Sequence, residues 1–135
     1  MKWPPTDVQI LEEIFHRYYK VFADYSKDDS KRETKNYVPI NIEEIAKHFK
    51  VDNDLIFGRL YYHLEPKYGF KWDDGTKVPF FARNLGGEKH SIQFPLLATV
   101  LADLREQKQK HLISTWLSVV ALIISAISVC IALMK

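Results

Sequence analysis

Glu44 and His48 stand four residues apart in a helical-looking stretch, so both side chains fall on one face, where a metal-ligand pair or a proton relay can be built. No third ligand accompanies them, and a Glu–His pair at this spacing is far more often a surface pair than a metal site. His63 and Glu65 are too close along the chain to share a helix face. His16, His90 and His111 are scattered, and Cys130 is the one cysteine, which leaves no intrachain disulfide and suits a reducing compartment. The sequence contains no phosphate-binding glycine loop, no dinucleotide fingerprint and no nucleophile elbow. The expectation is therefore a non-enzyme with no cofactor and no metal, whose functional residues bind rather than react.

Charge narrows what they bind. The chain carries 19 Lys and Arg against 17 Asp and Glu, a formal net charge of +2, and Lys135 at its end supplies part of that small excess. Nucleic-acid-binding domains usually carry a clear basic surplus, which disfavours nucleic acid as the partner here.

From Ile113 to Met134 no side chain is charged. A helix over this run, rising ~1.5 Å per residue, spans roughly 33 Å, enough for the ~30 Å hydrocarbon core of a bilayer. Its only polar groups are Ser and Thr, which argues against the core helix of a soluble protein. Lying last in the chain, it is not placed as a cleaved secretory signal, and a single-pass, tail-anchored membrane protein is expected, with no sensor domain beyond the bilayer. Arg105, Lys108 and Lys110 precede the run and only Lys135 follows it, so the positive-inside rule puts the N-terminal domain in the cytoplasm. Trp116 falls where an amphipathic ring anchors at the membrane interface.

The elements that must position any binding residue come before this run. Ile10, Leu11, Ile14, Phe15, Tyr18 and Phe22 recur at helical spacing behind Thr6, a fitting N-cap. Residues 25–37 alternate in charge and predict a surface loop. Val38-Pro39-Ile40 predicts a short strand. Asn41 followed by Glu44 has the form of a capping box for a helix over 42–49. A third helix over about 54–65 is capped by Asp52 or Asn53 and ended by Pro66 and Gly69. Strands follow over Phe70-Lys71-Trp72 and over Val78 to Arg83, around an Asp73-Asp74-Gly75 turn. Gly86-Gly87 marks a hairpin loop, and His90 to Phe94 forms a strand with either Ile92 inward or Ser91 and Gln93. Pro95 opens a long final helix.

Between Ile45 and Phe70 this order carries a motif: Ile45-Ala46, Phe49 and Val51, then Ile56, Leu60 and Leu64, closed by Gly69-Phe70. In these residues the chain resembles the winged helix-turn-helix superfamily. A small residue there lets the two motif helices cross closely, and a Gly-aromatic step leads into the wing. The resemblance implies an α+β fold: a winged-helix-like domain of three helices plus a β-hairpin wing over 1–95. A juxtamembrane helical stem over 96–112 and a transmembrane helix over 113–134 follow. It also implies that the third helix presents the contact face, although the fold alone names no ligand.

The departures lie on that face. Asp52 and Asp54 at its tip repel phosphates, and Leu55 and Phe57 cannot hydrogen-bond base edges. Lys50 stands in the motif turn where the family favours Gly, and Gly58 sits mid-helix at a cost of up to about 1 kcal/mol relative to Ala. The expected partner-binding residues are Leu55, Phe57, Arg59, Tyr61 and Tyr62, engaging a cytoplasmic protein. The alternative, a membrane-tethered DNA-binding regulator, would rest on Asn53, Arg59, Lys77 and Arg83. Along the last helix Ser114, Ser118, Ala121, Ser125, Ser128 and Ala132 repeat at heptad spacing, and the phase extends back through Leu104, Val100 and Leu97. Small residues at this spacing let membrane helices pack, so a parallel homodimer is expected along this seam.

Overall fold

A computed structural model describes residues 3–25, 34–83 and 90–135. The chain divides into two compact units, Met1–Leu101 and Ala102–Lys135. The first is α+β and is called the head here.

Helix α1, Asp7–Ala23, starts at Thr6 as its chemistry demands: the Thr6 hydroxyl accepts the Gln9 N–H, and Gln9 Oε1 accepts the Thr6 N–H at 2.8 Å. Its Ile10, Leu11, Ile14 and Tyr18 are buried. Strand β1, Tyr37–Pro39, then leads to helix α2, Ile42–Phe49. The expected capping box at Asn41 is only half formed. Asn41 Oδ1 accepts from Glu43 and Glu44, but its own N–H goes to the Tyr18 hydroxyl at 2.8 Å rather than to Glu44. A side chain from α1 thus completes the cap of α2.

Lys50 ends α2 in the left-handed region, φ 56° and ψ 43°, the geometry for which glycine carries no Cβ penalty. Helix α3, Asn53–Gly58, is capped by Asp52, which accepts the Asp54 N–H at 2.9 Å. It was expected to end before Pro66, yet the chain stays helical through a π-helical stretch, Arg59–Leu64, and a last turn α4, Glu65–Tyr68. In an α-helix the Pro66 ring would strike the carbonyl four residues back. Widening the preceding turns, with Glu65 N–H bonded to Leu60 five residues back, relieves that clash.

The expected strand over Val78 to Arg83 divides into two at Pro79, which has no N–H to give a ladder. Strand β2, Phe70–Lys71, pairs with β3, Lys77–Val78, as a separate two-stranded ribbon. Strand β4, Phe81–Arg83, joins a three-stranded antiparallel sheet ordered β1–β5–β4, with β5 at His90–Gln93. Val38 and Phe81 flank Ile92 in register. Ser91 and Ile92 are both buried, so neither register expected for this strand holds alone. The expected Gly86-Gly87 loop lies outside the described residues.

Helix α5, Phe94–Leu133, begins one residue earlier than Pro95 predicts, and Gln93 Oε1 accepts the Leu96 N–H at 3.0 Å. Phe94 is buried between the rings of Phe15 and Phe22, at 5.5 and 4.8 Å between centroids. Leu97, Val100 and Leu101 are buried in the head, as are Ile45, Ile56, Leu60 and Phe80.

In the second unit the same helix is long and apolar enough to span a membrane, with a mean hydropathy of 2.6 in its most apolar window. Ser118 and Ser128 donate to the carbonyls of Ser114 and Ile124, each at 3.0 Å, so these hydroxyls are satisfied along their own helix.

Candidate binding surface

Helix α3, its widened continuation and the ribbon carry several exposed large apolar side chains. Leu55 and Tyr62 are 55% and 73% exposed, and Phe70 and Trp72 on the ribbon are 43% and 59%. Gly58 lies between Leu55 and Tyr62. Its backbone is ordinary right-handed helix, and a Cβ placed there would meet only Tyr62 Cδ2, at a comfortable 3.7 Å. Among the described residues nothing requires glycine at this position.

Phe57 belongs to the wall behind that surface. It is half-buried, stacks on Tyr61 at 5.4 Å and meets Phe81 and His90 edge-on at 5.9 and 5.7 Å. Tyr61 in turn holds Arg83, whose guanidinium lies 4.4 Å above the ring and whose Nη2 donates to the hydroxyl at 3.2 Å. Of the expected partner-binding set, Leu55 and Tyr62 are therefore free to touch a partner, while Phe57 and Tyr61 support them.

Arg59 is committed elsewhere. Its Nη1 donates to Asp7 Oδ1 at 2.7 Å, and His63 Nε2 lies 3.0 Å from the other Asp7 oxygen. Burial raises the Asp7 carboxyl, but the hydrogen bonds from Arg59 and His63 outweigh it and hold the group below its ordinary value. Arg59 thus ties the third helix to α1. Of the expected nucleic-acid contacts, Asn53 and Lys77 are exposed, Arg83 is stacked on Tyr61, and Asp52 and Asp54 stand at the helix tip.

The paired Glu44 and His48 also find other partners. His48 Nε2 sits 3.2 Å from Glu13, and Glu44 lies 3.8 Å from Arg17. Among the described residues no group of three or more His, Cys, Asp or Glu is placed to hold a metal.

A groove of about 590 Å³ runs between the end of the widened helix and the ribbon, lined by Tyr61, Tyr62, Pro66, Phe70, Lys77 and Pro79 among others. Phe70 and Lys71 form its ribbon side, with Trp72 next in the chain, and Lys71 is absent from the contact residues expected from the sequence. The available signal was symmetry: Lys71 and Lys77 flank the Asp73-Asp74-Gly75 turn and become direct cross-strand partners. Gly69 is needed where the helix meets the ribbon. A Cβ there would fall 2.6 Å from Glu65 Oε1 and 2.8 Å from the Glu65 carbonyl oxygen, and Glu65 Oε2 accepts the Phe81 N–H at 2.7 Å.

On the expected seam, Leu97 and Val100 are buried in the head's own core and Leu104 is half-buried. Ser118, Ala121, Ser125, Ser128 and Ala132 are exposed along the second unit.

No protein-family model, curated protein or solved structure matches this chain.

Proposed function

We propose that this protein is a membrane-anchored, non-catalytic binding module with a winged-helix-like head that engages a cytoplasmic protein partner. The strand order β1–β5–β4, with α2 and α3 following β1 and preceding β4, supports the winged-helix assignment. The β2–β3 ribbon is then an insertion ahead of the sheet strand that leads into the wing.

The observation that carries the binding reading is the outward face of the third helix. Leu55 and Tyr62 are exposed there on either side of an unneeded glycine. Asp52 and Asp54 stand at its start, and its arginine is committed to Asp7. Such a face suits an apolar protein contact better than a phosphate backbone. The basic stem at Arg105, Lys108 and Lys110 supports a cytoplasmic head, and the run from Ser118 to Ala132 supports helix packing in the membrane and a homodimer.

A photo-activated cross-linker placed at Tyr62 of the full chain in cells tests this reading. The expected adduct is sensitive to protease, resistant to nuclease and lost when Leu55→Glu is added. A nuclease-sensitive adduct would instead favour the tethered DNA-binding regulator.

A further inference from the structure

We infer that the groove between Tyr62 and the β2–β3 ribbon receives an acidic peptide segment of the partner. The segment lays a large apolar side chain against Tyr62 and Phe70 and sets carboxylates on Lys71 and Lys77. The inference rests on the protein-binding reading of the head and supplies the chemistry of what is bound.

Lys71 and Lys77 carry the argument. They are direct partners across a two-stranded ribbon, and both line the groove. Like charges placed directly opposite each other destabilise a strand pair, so the ribbon is weakened where these two lysines face each other in register. Among the described residues neither has an ion-pair partner. One carboxylate, that of Glu65, shares the lining with the two lysines, which leaves the groove a net charge of +1. Glu65, in the groove wall, accepts the Phe81 N–H, and Asp74 accepts the Thr76 N–H at 2.9 Å to close the turn. Asp73 and Asp74 both lie outside the groove lining. An incoming carboxylate would neutralise the paired lysines and stabilise the ribbon at once.

The apolar half of the site fixes the other half of the ligand. The groove, of about 590 Å³, is shallow and open to solvent, a shape that suits a segment lying along it. Tyr62 and Phe70 are exposed at its wall, and Trp72 meets Phe70 edge-on at 5.3 Å, extending the aromatic surface. Exposed aromatics beside a compact pair of cations match an apolar residue flanked by Asp or Glu. A nucleic-acid strand would meet the same lysines, but the near-neutral chain offers no extended basic field to a polyanion.

The test uses the full chain in nanodiscs of uncharged lipid, as bait for a randomised peptide library displayed on phage. Enriched peptides are expected to be net acidic with at least one large apolar residue. Their affinity should fall about tenfold or more with Lys71→Glu combined with Lys77→Glu, and also with Tyr62→Ala. Lys71→Glu alone should abolish the preference for acidic peptides while raising the melting temperature, because it sets opposite charges across the ribbon. That stability readout separates lost binding from lost folding. Neutral or basic enriched peptides, or acidic ones indifferent to the lysine substitutions, overturn the groove assignment and leave the protein-binding reading standing. No enriched peptide together with retention of duplex DNA by the same nanodiscs overturns both.

Discussion

The carboxylate of Asp7, in the first turn of α1, holds the guanidinium of Arg59 at 2.7 Å and shares its second oxygen with His63. This link joins residues 52 apart in sequence and pins the start of the π-helical stretch to the head's first helix. It also decides what the third helix can present. With its arginine turned to Asp7, the helix leaves Leu55 and Tyr62 as its exposed large apolar side chains.

Asp7→Ala should lower the head's stability by about 1–2 kcal/mol at neutral pH, the worth of a charged hydrogen-bonded pair discounted for its partial exposure. The folded carboxyl lies below its ordinary value of 3.8, so its contribution is complete well above that value. It is lost as pH falls through the depressed folded value. Urea unfolding of wild type and Asp7→Asn between neutral pH and pH about 3 should therefore show a gap that closes in acid. A gap independent of pH would refute the assignment.

Lys50 occupies a left-handed conformation at the end of α2. Lys50→Gly should stabilise the head by about 0.5–1 kcal/mol through loss of the Cβ clash, read as a rise in melting temperature. Lys50→Val, β-branched, should lower it.

The two glycines of the third helix and its exit should respond in opposite directions. Gly58→Ala adds a methyl that meets only Tyr62 Cδ2, without a clash, and should stabilise the helix by up to about 1 kcal/mol, while weakening partner binding if a partner packs against that bare position. Gly69→Ala drives a Cβ into the Glu65 carboxylate and carbonyl, and should destabilise by about 1–3 kcal/mol. Equal effects of the two substitutions in chemical unfolding would contradict this assignment.

Tyr18→Phe removes the acceptor of the Asn41 N–H and should destabilise the head by about 1 kcal/mol, leaving the cap of α2 with a part-buried donor that only water can satisfy. Burial raises the Tyr18 phenol above its ordinary value, as it does that of Tyr37, so wild type should lose more stability than Tyr18→Phe as the unfolded phenols ionise in alkali.

Replacing Ser118, Ser125 and Ser128 by Leu should weaken self-association of the last helix in a membrane, measured by energy transfer between labelled chains. Unchanged transfer would remove the small-residue seam from the account.

What could be read ahead of the structure was local chemistry. Thr6 caps α1 because its hydroxyl needs only the N–H three residues on, and the uncharged run from Ile113 defines its helix by composition alone. Features decided by distant partners were not legible. Asn41 carries the sequence of a capping box, but Tyr18 from another helix reaches its N–H first. Pro66 reads as a helix stop under α geometry and ceases to be one when the helix widens. Leu97 and Val100 share the phase of a seam, yet the head's core takes them. Arg59 looked free because nothing in its neighbourhood announced Asp7. The groove escaped notice for the same reason: it exists only where the helix and the ribbon meet.

The most direct test of the central claim is binding of residues 1–105, which contain the whole compact head, to fragmented genomic DNA at low and moderate salt. The account predicts no binding at low salt, even when the head is artificially dimerised. Selective binding that weakens steeply with salt would contradict it, and would mean that Asn53 and Lys77 outweigh the acidic tip of the third helix.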